Sequence, residues 1–345
     1  DIDISVENED AFKCSCANGH LEVAKWLLSV KPDIDISARR ENAFRSSCIG
    51  GHLEVAKWLL LVKPDIDISA YNDWAFKYSC HYGHLEVVKW LLLVKPDIDI
   101  SLENEYAFRW SCSNGHLEVA KWLLTIKPHI NISAQDDYAF RWSCSNGHLD
   151  IAQWLVSLKP HIGISEEIFR SSCANGHLEV AKWLFSLEPN IDISARHDGT
   201  FRMACANGYL EMAKWLLTIK PDINISARGE DAFKCSCSYG HLEVAKWLLS
   251  IKPDINIFAQ NEFAFKGSCK NGNLEVAKWL LQETMKRNKV FKTNIPDKLN
   301  IHTEYICIKN YPERCLECTS KYYDILLEII GIPELAREII KYVIY

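Results

Sequence analysis

One ten-residue string, GHLEVAKWLL or a close variant, begins at Gly19, Gly51, Gly83, Gly115, Gly147, Gly176, Gly208, Gly240 and Gly272. The interval is 32 residues throughout, except for 29 between Gly147 and Gly176. A chain written this way is an array of nine small units, none of which can bury a hydrophobic face alone. Neighbour must stack on neighbour, so the expected architecture is a quasi-one-dimensional solenoid. Composition then loses much of its mystery. The chain has 14 Cys and 12 Trp in 345 residues, but nine of each fall in single columns, Cys16 to Cys269 and Trp26 to Trp279.

The repeat beginning at Tyr138 reads YAFRWSCSNGHLDIAQWLVSLKPHIGIS. Its spacing predicts a short first helix closed by Gly147, a residue type suited to a left-handed C-terminal position. A second helix follows, with Leu149, Ile151, Ala152, Leu155 and Val156 on helical spacing and Pro160 as its stop. Each helix is too short to be stable alone in water. The connecting stretch, as in Asp33-Ile34-Asp35-Ile36-Ser37, alternates polar and apolar residues and predicts an extended hairpin arm.

These residues resemble the ankyrin repeat. Ser143-Cys144 stands where the family has Ala-Ala, Gly147-His148 matches its Gly-His, and Lys127-Pro128-His129-Ile130-Asn131 stands for its Gly-Ala-Asp-Val-Asn. The resemblance covers residues 1 to about 281 and implies an all-α solenoid of stacked helix-turn-helix units with hairpin loops. Two departures stand out. The family's Thr-Pro-Leu-His has become Tyr-Ala-Phe-Arg, as at Tyr138, and the 32-residue period is one short, which implies a clipped hairpin tip. The 29-residue interval, around Gly163 to Ile168, removes three more residues and implies a kink or notch. The wording most resembles ankyrin proteins encoded in families by large DNA viruses of protists, which implies a host partner and a host cytoplasmic location.

The columns shared by all copies read as structure. Stacked repeats lie about one helix diameter apart, ~10 Å, beyond the roughly 4.4–6.8 Å between the Cα atoms of a disulfide. The Cys column therefore fills a small apolar slot, and so many unpaired thiols suit a reducing compartment. The His column gives way to Tyr209 and Asn273, a tolerance that points to a loop hydrogen bond rather than to catalysis. The Trp column reads as packing between repeats. Lys13, Arg45, Lys77, Arg109, Arg141, Arg170, Arg202, Lys234 and Lys266 form a basic column. Acids nevertheless exceed Lys and Arg by 7 in residues 1–281, so each cation is expected to meet a neighbouring carboxylate rather than a nucleic acid.

The columns that vary are more informative. The position before Ala-Phe, where the family uses Thr as a helix cap, is Asp10, Asn42 or Asp231 in three copies, with Thr200 directly before Phe201 in a fourth, and Trp74, Tyr106, Tyr138 or Phe263 in four others. Losing a cap costs roughly 0.5–2 kcal/mol, so an offsetting use is expected. Tyr78, His81, Tyr82, Trp110 and Trp142 fall nearby in the same three successive copies. Trp and Tyr are enriched at binding hot spots, and the resemblance implies partner binding on the concave hairpin and first-helix side. The candidate partner-binding set is thus Trp74, Tyr78, His81, Tyr82, Tyr106, Trp110, Tyr138 and Trp142. An intramolecular ladder of rings explains the same residues equally well.

After Leu281 the repeat stops. A polar linker, 282–300, is expected before a helical cap or docking segment, 301–345. His302, Cys307, Cys315 and Cys318 could close a zinc site, at a spacing that fits no common module. Ile332 to Ile340 resembles the opening of F-box helices, which implies an adaptor that recruits a ubiquitin ligase. The chain opens without Met on Asp-Ile-Asp-Ile-Ser, the back half of a unit, and so reads as a fragment or a processed product. No run of 18 apolar residues predicts a membrane span. No nucleophile, base and orienting group recur outside the structural columns, so the expected function is non-enzymatic, without cofactor: an interaction scaffold, with the adaptor as the alternative.

Overall fold

The computed structural model describes residues 4–291. Among the described residues there are eighteen helices and no strand, arranged in nine pairs from Ile4–Ala17 with Leu21–Val30 to Ala259–Lys270 with Leu274–Phe291. The chain divides into two compact bodies, Asp1–Ile191 and Asp192–Tyr345. Repeats 1–6 lie in the first and repeats 7–9 in the second. The zinc set at 302–318 and the F-box-like stretch at 332–340 lie outside the described residues.

Repeat 5 shows how the unit is made. In its first helix Ala139, Phe140 and Cys144 are buried, and in its second helix, Leu149–Leu158, so are Ile151, Ala152 and Leu155. Gly147 joins them at φ 87°. A Cβ there would also come within 2.4 Å of the His177 ring in the next repeat. Both the left-handed backbone and that close approach demand glycine.

Stacking is made of repeated polar and aromatic contacts. The Ser143 hydroxyl sits within reach of the Ala139 carbonyl of its own helix (2.6 Å) and the Cys112 carbonyl of the preceding repeat (3.0 Å). Ser111 and Ser236 do the same toward Cys80 and Cys205. The Asn146 amide donates to the Ser113 carbonyl at 2.8 Å. The His84, His116 and His148 rings donate to the backbone carbonyls of Ile49, His81 and Ser113. Where Asn273 replaces histidine it makes the same kind of bond, to the Ser238 carbonyl at 2.7 Å. The Trp column packs between repeats, with Trp58 on Phe12 and Trp154 on Phe108 at 6.2 Å between ring centroids. The His column makes loop hydrogen bonds, as its tolerance of Asn273 implies, and the Trp column packs between repeats as expected.

The connecting stretch departs from expectation. The Asp-Ile-Asp-Ile-Ser alternation forms no extended arm. Its first isoleucine is buried, as at Ile130, and Asn131 Oδ1 accepts the Ser133 N–H at 3.1 Å, closing a turn. Three consecutive left-handed residues follow, Gln135, Asp136 and Asp137, at φ 54°, 56° and 54°. The same triplet appears at Arg39-Arg40-Glu41, Tyr71-Asn72-Asp73, Glu103-Asn104-Glu105, Arg196-His197-Asp198 and Arg228-Gly229-Glu230. L-residues in this conformation cost roughly 1–2 kcal/mol each. Asn, Asp, His and Gly bear it best, and they fill the middle place in every one of these copies but Arg40.

Two devices hold the turn. The Arg109 guanidinium donates from Nε to the Asn104 carbonyl (2.7 Å) and from Nη2 to the Glu103 carbonyl (3.0 Å). Arg45, Arg141 and Arg202 clasp their own turns in the same way. The third residue is always acidic and mostly buried. Glu105 accepts the Ser101 hydroxyl at 2.7 Å and the N–H of Asn131 in the next repeat at 3.3 Å. Glu230 likewise accepts from Ser226 at 2.7 Å.

The 29-residue interval now has a physical meaning. The three missing residues are the left-handed turn itself. Ser165 is instead extended (φ −100°, ψ 157°) and caps Glu166–Ala174 by accepting the Ile168 N–H at 3.3 Å. Arg170, with no turn to clasp, faces Glu166 and Glu167 at 3.6 and 3.9 Å. At the other end, Leu274–Phe291 runs on past Leu281 because the Lys-Pro stop is missing there. Its Arg287 donates to the Ile255 and Pro253 carbonyls at 2.9 and 3.0 Å.

Candidate partner-binding surface

The eight aromatic and histidine residues singled out by sequence come together in one continuous chain of ring contacts across repeats 3–5. Trp74 stacks on Tyr78, with centroids 4.2 Å apart and planes at 19°. Tyr78 meets Tyr106 at 5.9 Å, Tyr106 meets Trp110 at 5.7 Å, Trp110 meets Tyr138 at 5.6 Å, and Tyr138 meets Trp142 at 5.8 Å. His81 lies 4.8 Å from Trp110 and 4.6 Å from Tyr82. Tyr71 extends the ladder, 6.1 Å from Trp74. Sequence reasoning missed it, although its column holds Arg39, Glu103, Gln135, Arg196 and Arg228 elsewhere.

The ladder is intramolecular, and it also faces solvent. Tyr71, Tyr82 and Trp142 are 46%, 49% and 43% exposed. Trp74, Tyr78, His81, Tyr106, Trp110 and Tyr138 are half-buried. Burial, then a hydrogen bond with Tyr78, raises the Tyr106 phenol above its usual value. Burial holds the His81 ring below the usual histidine range, and its Nδ1 is buried without a hydrogen-bond partner.

The expected loss of helix caps does not occur. The left-handed triplet moves the start of the right-handed helix, so Trp74, Tyr106 and Tyr138 are its first residues and the acids Asp73, Glu105 and Asp137 precede them. Nor do their polar counterparts act as caps. Asn42 Oδ1 accepts from the Ser46 hydroxyl at 2.9 Å, and Asp231 pairs with Arg202. Aromatic rings therefore displace no cap in repeats 3–5.

The basic column meets carboxylates as expected at Lys13, Lys77, Arg170, Arg202, Lys234 and Lys266, and is reassigned in part. Lys77 does reach a neighbouring carboxylate, Glu103. Arg45, Arg109 and Arg141 instead bind backbone carbonyls of their own turns. Arg45 lies 4.4 Å above the Tyr71 ring, Arg109 4.7 Å above Tyr138, and Lys77 5.5 Å above Tyr106. Such contacts are worth about 0.5–1 kcal/mol at exposed sites and more when desolvated. The column is consumed by the fold.

The Cys column offers no chemistry. Cys48, Cys80, Cys112 and Cys144 are buried, and burial pushes their thiols up; the end-repeat Cys16 rises to about 12. Thiolates, the reactive form, are thereby suppressed. Among the described residues no three His, Cys, Asp or Glu side chains are grouped to hold a metal ion. Among them, too, no helix is long and apolar enough to cross a membrane.

Stacked helix pairs, each joined by a left-handed glycine turn, define a helical repeat protein, and the family comparison gives its type. Family models described as "Ankyrin repeats (3 copies)" match residues 76–167, 108–197, 168–260 and 201–293, and "Ankyrin repeats (many copies)" matches 9–60. The chain belongs to the ankyrin-repeat family. Among solved structures it is similar to the human ASB11 ankyrin repeat domain, at 17% identity and a TM-score of 0.44, over 61% of this chain and 97% of that one. Comparison with curated protein sequences gives no match.

Proposed function

We propose that this protein is a non-enzymatic scaffold that binds a partner protein on the turn and first-helix face of repeats 3–5. Ankyrin repeats are generally protein–protein interaction scaffolds. The observation that carries the reading is the solvent-facing ladder from Tyr71 to Trp142. Elsewhere the Trp142 column holds Cys14, Ser46, Ser171, Met203, Cys235 or Gly267, and the Tyr82 column is Asn or Gly in seven of the other eight copies. Folding the repeat therefore does not require large rings there, and exposed aromatic patches on a folded surface mark interaction sites. The buried thiols support a reducing, cytoplasmic setting, and the likeness to viral repeat proteins supports a host partner.

Affinity capture from host-cell extract, with the intact chain and with Tyr82→Ala/Trp142→Ala, tests the reading. Both rings are exposed, so the double variant should keep its helical circular dichroism and lose the captured partner. Unchanged capture would sink this face as the binding site.

A further inference from the structure

We infer that the partner presents an extended segment carrying Lys or Arg at every third residue, laid across repeats 3–5. The inference rests on the proposed scaffold reading and specifies its ligand. Its first support is charge. In the stretches 69–82, 101–114 and 133–146 the acids are Asp73, Glu103, Glu105, Asp136 and Asp137, and the cations are Lys77, Arg109 and Arg141, a net of −2. The matching stretch 37–50 of repeat 2, with Arg39, Arg40 and Arg45 against Glu41, is +2. The matching stretch 5–18 of repeat 1, with Glu7, Glu9 and Asp10 against Lys13, is also −2, so the aromatic repeats are acidic relative to repeat 2 without being the only acidic ones.

Its second support is which charges are accessible. Lys77 and Arg109 are buried, and Arg141 is committed to the Gln135 and Asp136 carbonyls. Asp136 is exposed on the turn beside the rings, and Glu103 is exposed there too while pairing with Lys77 from beneath. A ligand therefore meets carboxylates and π faces, while the cations lie beneath. Among the described residues the internal cations sit over Tyr71, Trp74, Tyr106 and Tyr138, leaving Trp110 and Trp142 without one. Ring faces bordered by carboxylates suit ammonium and guanidinium groups, and they repel polyanions.

The spacing follows from the stack. Tyr78, Trp110 and Trp142 occupy one column, repeated every 32 residues. Successive repeats lie ~10 Å apart, and an extended chain in the polyproline II conformation rises about 3.1 Å per residue and returns to the same face every three residues. Three ligand residues therefore span one repeat. A cation at i, i+3 and i+6 reaches the three positions in register, whereas the same cations clustered together reach one.

Titration of the full chain with synthetic 13-residue peptides, followed by calorimetry, tests this. A peptide with Lys at every third position should bind at least tenfold more tightly than an isomer with its lysines clustered, than a Ser-substituted neutral peptide, and than a Glu-substituted one. Binding should weaken with salt, fall at least tenfold in Trp142→Ala, and fall several-fold in Asp136→Asn, with helical content unchanged in both. Equal binding of the neutral peptide, preference for an acidic peptide or an oligothymidine, or indifference to Trp142→Ala would overturn the inference. If the basic peptides fail while cellular capture still depends on Tyr82 and Trp142, the ligand assignment falls and the scaffold reading stands. If capture ignores those rings, the scaffold reading falls first.

Discussion

Replacing Arg109 with Met isolates the device that holds the left-handed turns. Met keeps an apolar stem in the buried site and removes two charge-assisted hydrogen bonds, 2.7 Å to the Asn104 carbonyl and 3.0 Å to the Glu103 carbonyl. Hydrogen bonds from a charged group contribute about 1.5–3 kcal/mol each when the acceptor is desolvated. Glu103 and Asn104 are exposed, so water recovers part of the loss. The net expectation is a destabilisation of about 2 kcal/mol. Arg170→Met is the internal control. Repeat 6 has no left-handed turn, and Arg170 makes only ion pairs of 3.6 and 3.9 Å to partly or largely exposed carboxylates, worth ~0–1 kcal/mol. A second arm uses Asn104→Gly, which lowers the cost of the left-handed conformation and should recover roughly 1 kcal/mol of the Arg109→Met loss. The chain contains a version of this compensation. In repeat 8 the clasping position is Lys234, whose amine has no hydrogen-bond partner, and the turn carries Gly229. Because repeat arrays melt in segments, urea midpoints should be read with amide exchange over residues 102–109. The reasoning is refuted if Arg109→Met costs no more than Arg170→Met and exchange at 102–109 is unchanged.

Three further outcomes follow from the same contacts. Burial holds His84, His116, His148, His177 and His241 below the usual histidine range. The unfolded chain then binds more protons than the folded one below about pH 6.5, so stability should fall as pH drops through that value toward the folded pKa values. Urea midpoints at pH 7.5 and 5.5 check the sign, and His116→Asn, imitating Asn273, should fold and lower the pH slope by up to about 1.4 kcal/mol per pH unit. Ser165→Ala should cost about 1 kcal/mol by removing the N-cap bond to Ile168, measured by thermal melting. Leu61 and Leu93, each 78% exposed, occupy a column that is Ser or Thr in six other copies; Leu61→Ser and Leu93→Ser should change stability by less than about 0.5 kcal/mol, and a larger loss would show that the two side chains pack against something.

What sequence reveals here depends on whether one residue type has one geometric use. Gly147 does, because its left-handed position and the His177 ring both exclude a Cβ, so the end of the first helix is readable from a single letter. Cys144 and Trp154 do as well, since their columns recur at a spacing only stacking can produce. The turn is the opposite case. Asp-Ile-Asp-Ile alternates with the period of a strand, yet Ile130 is buried because the chain folds back at Asn131, and no periodicity encodes that. A left-handed triplet is written in Asn72, Asn104, Asp136, His197 and Gly229 at one position and an acid after each, a pattern visible only when the copies are aligned. Arg109 hides its role more completely. Charge alone suggests a carboxylate partner, whereas the guanidinium's fork fits two adjacent carbonyls that exist only once the turn is left-handed. The aromatic residues resisted a choice between ladder and binding surface because the alternatives are not exclusive. Contacts between rings 4.2–5.9 Å apart hold Trp74, Tyr78, Tyr106, Trp110, Tyr138 and Trp142 in a fixed array, and that rigidity lowers the entropy an incoming segment must overcome.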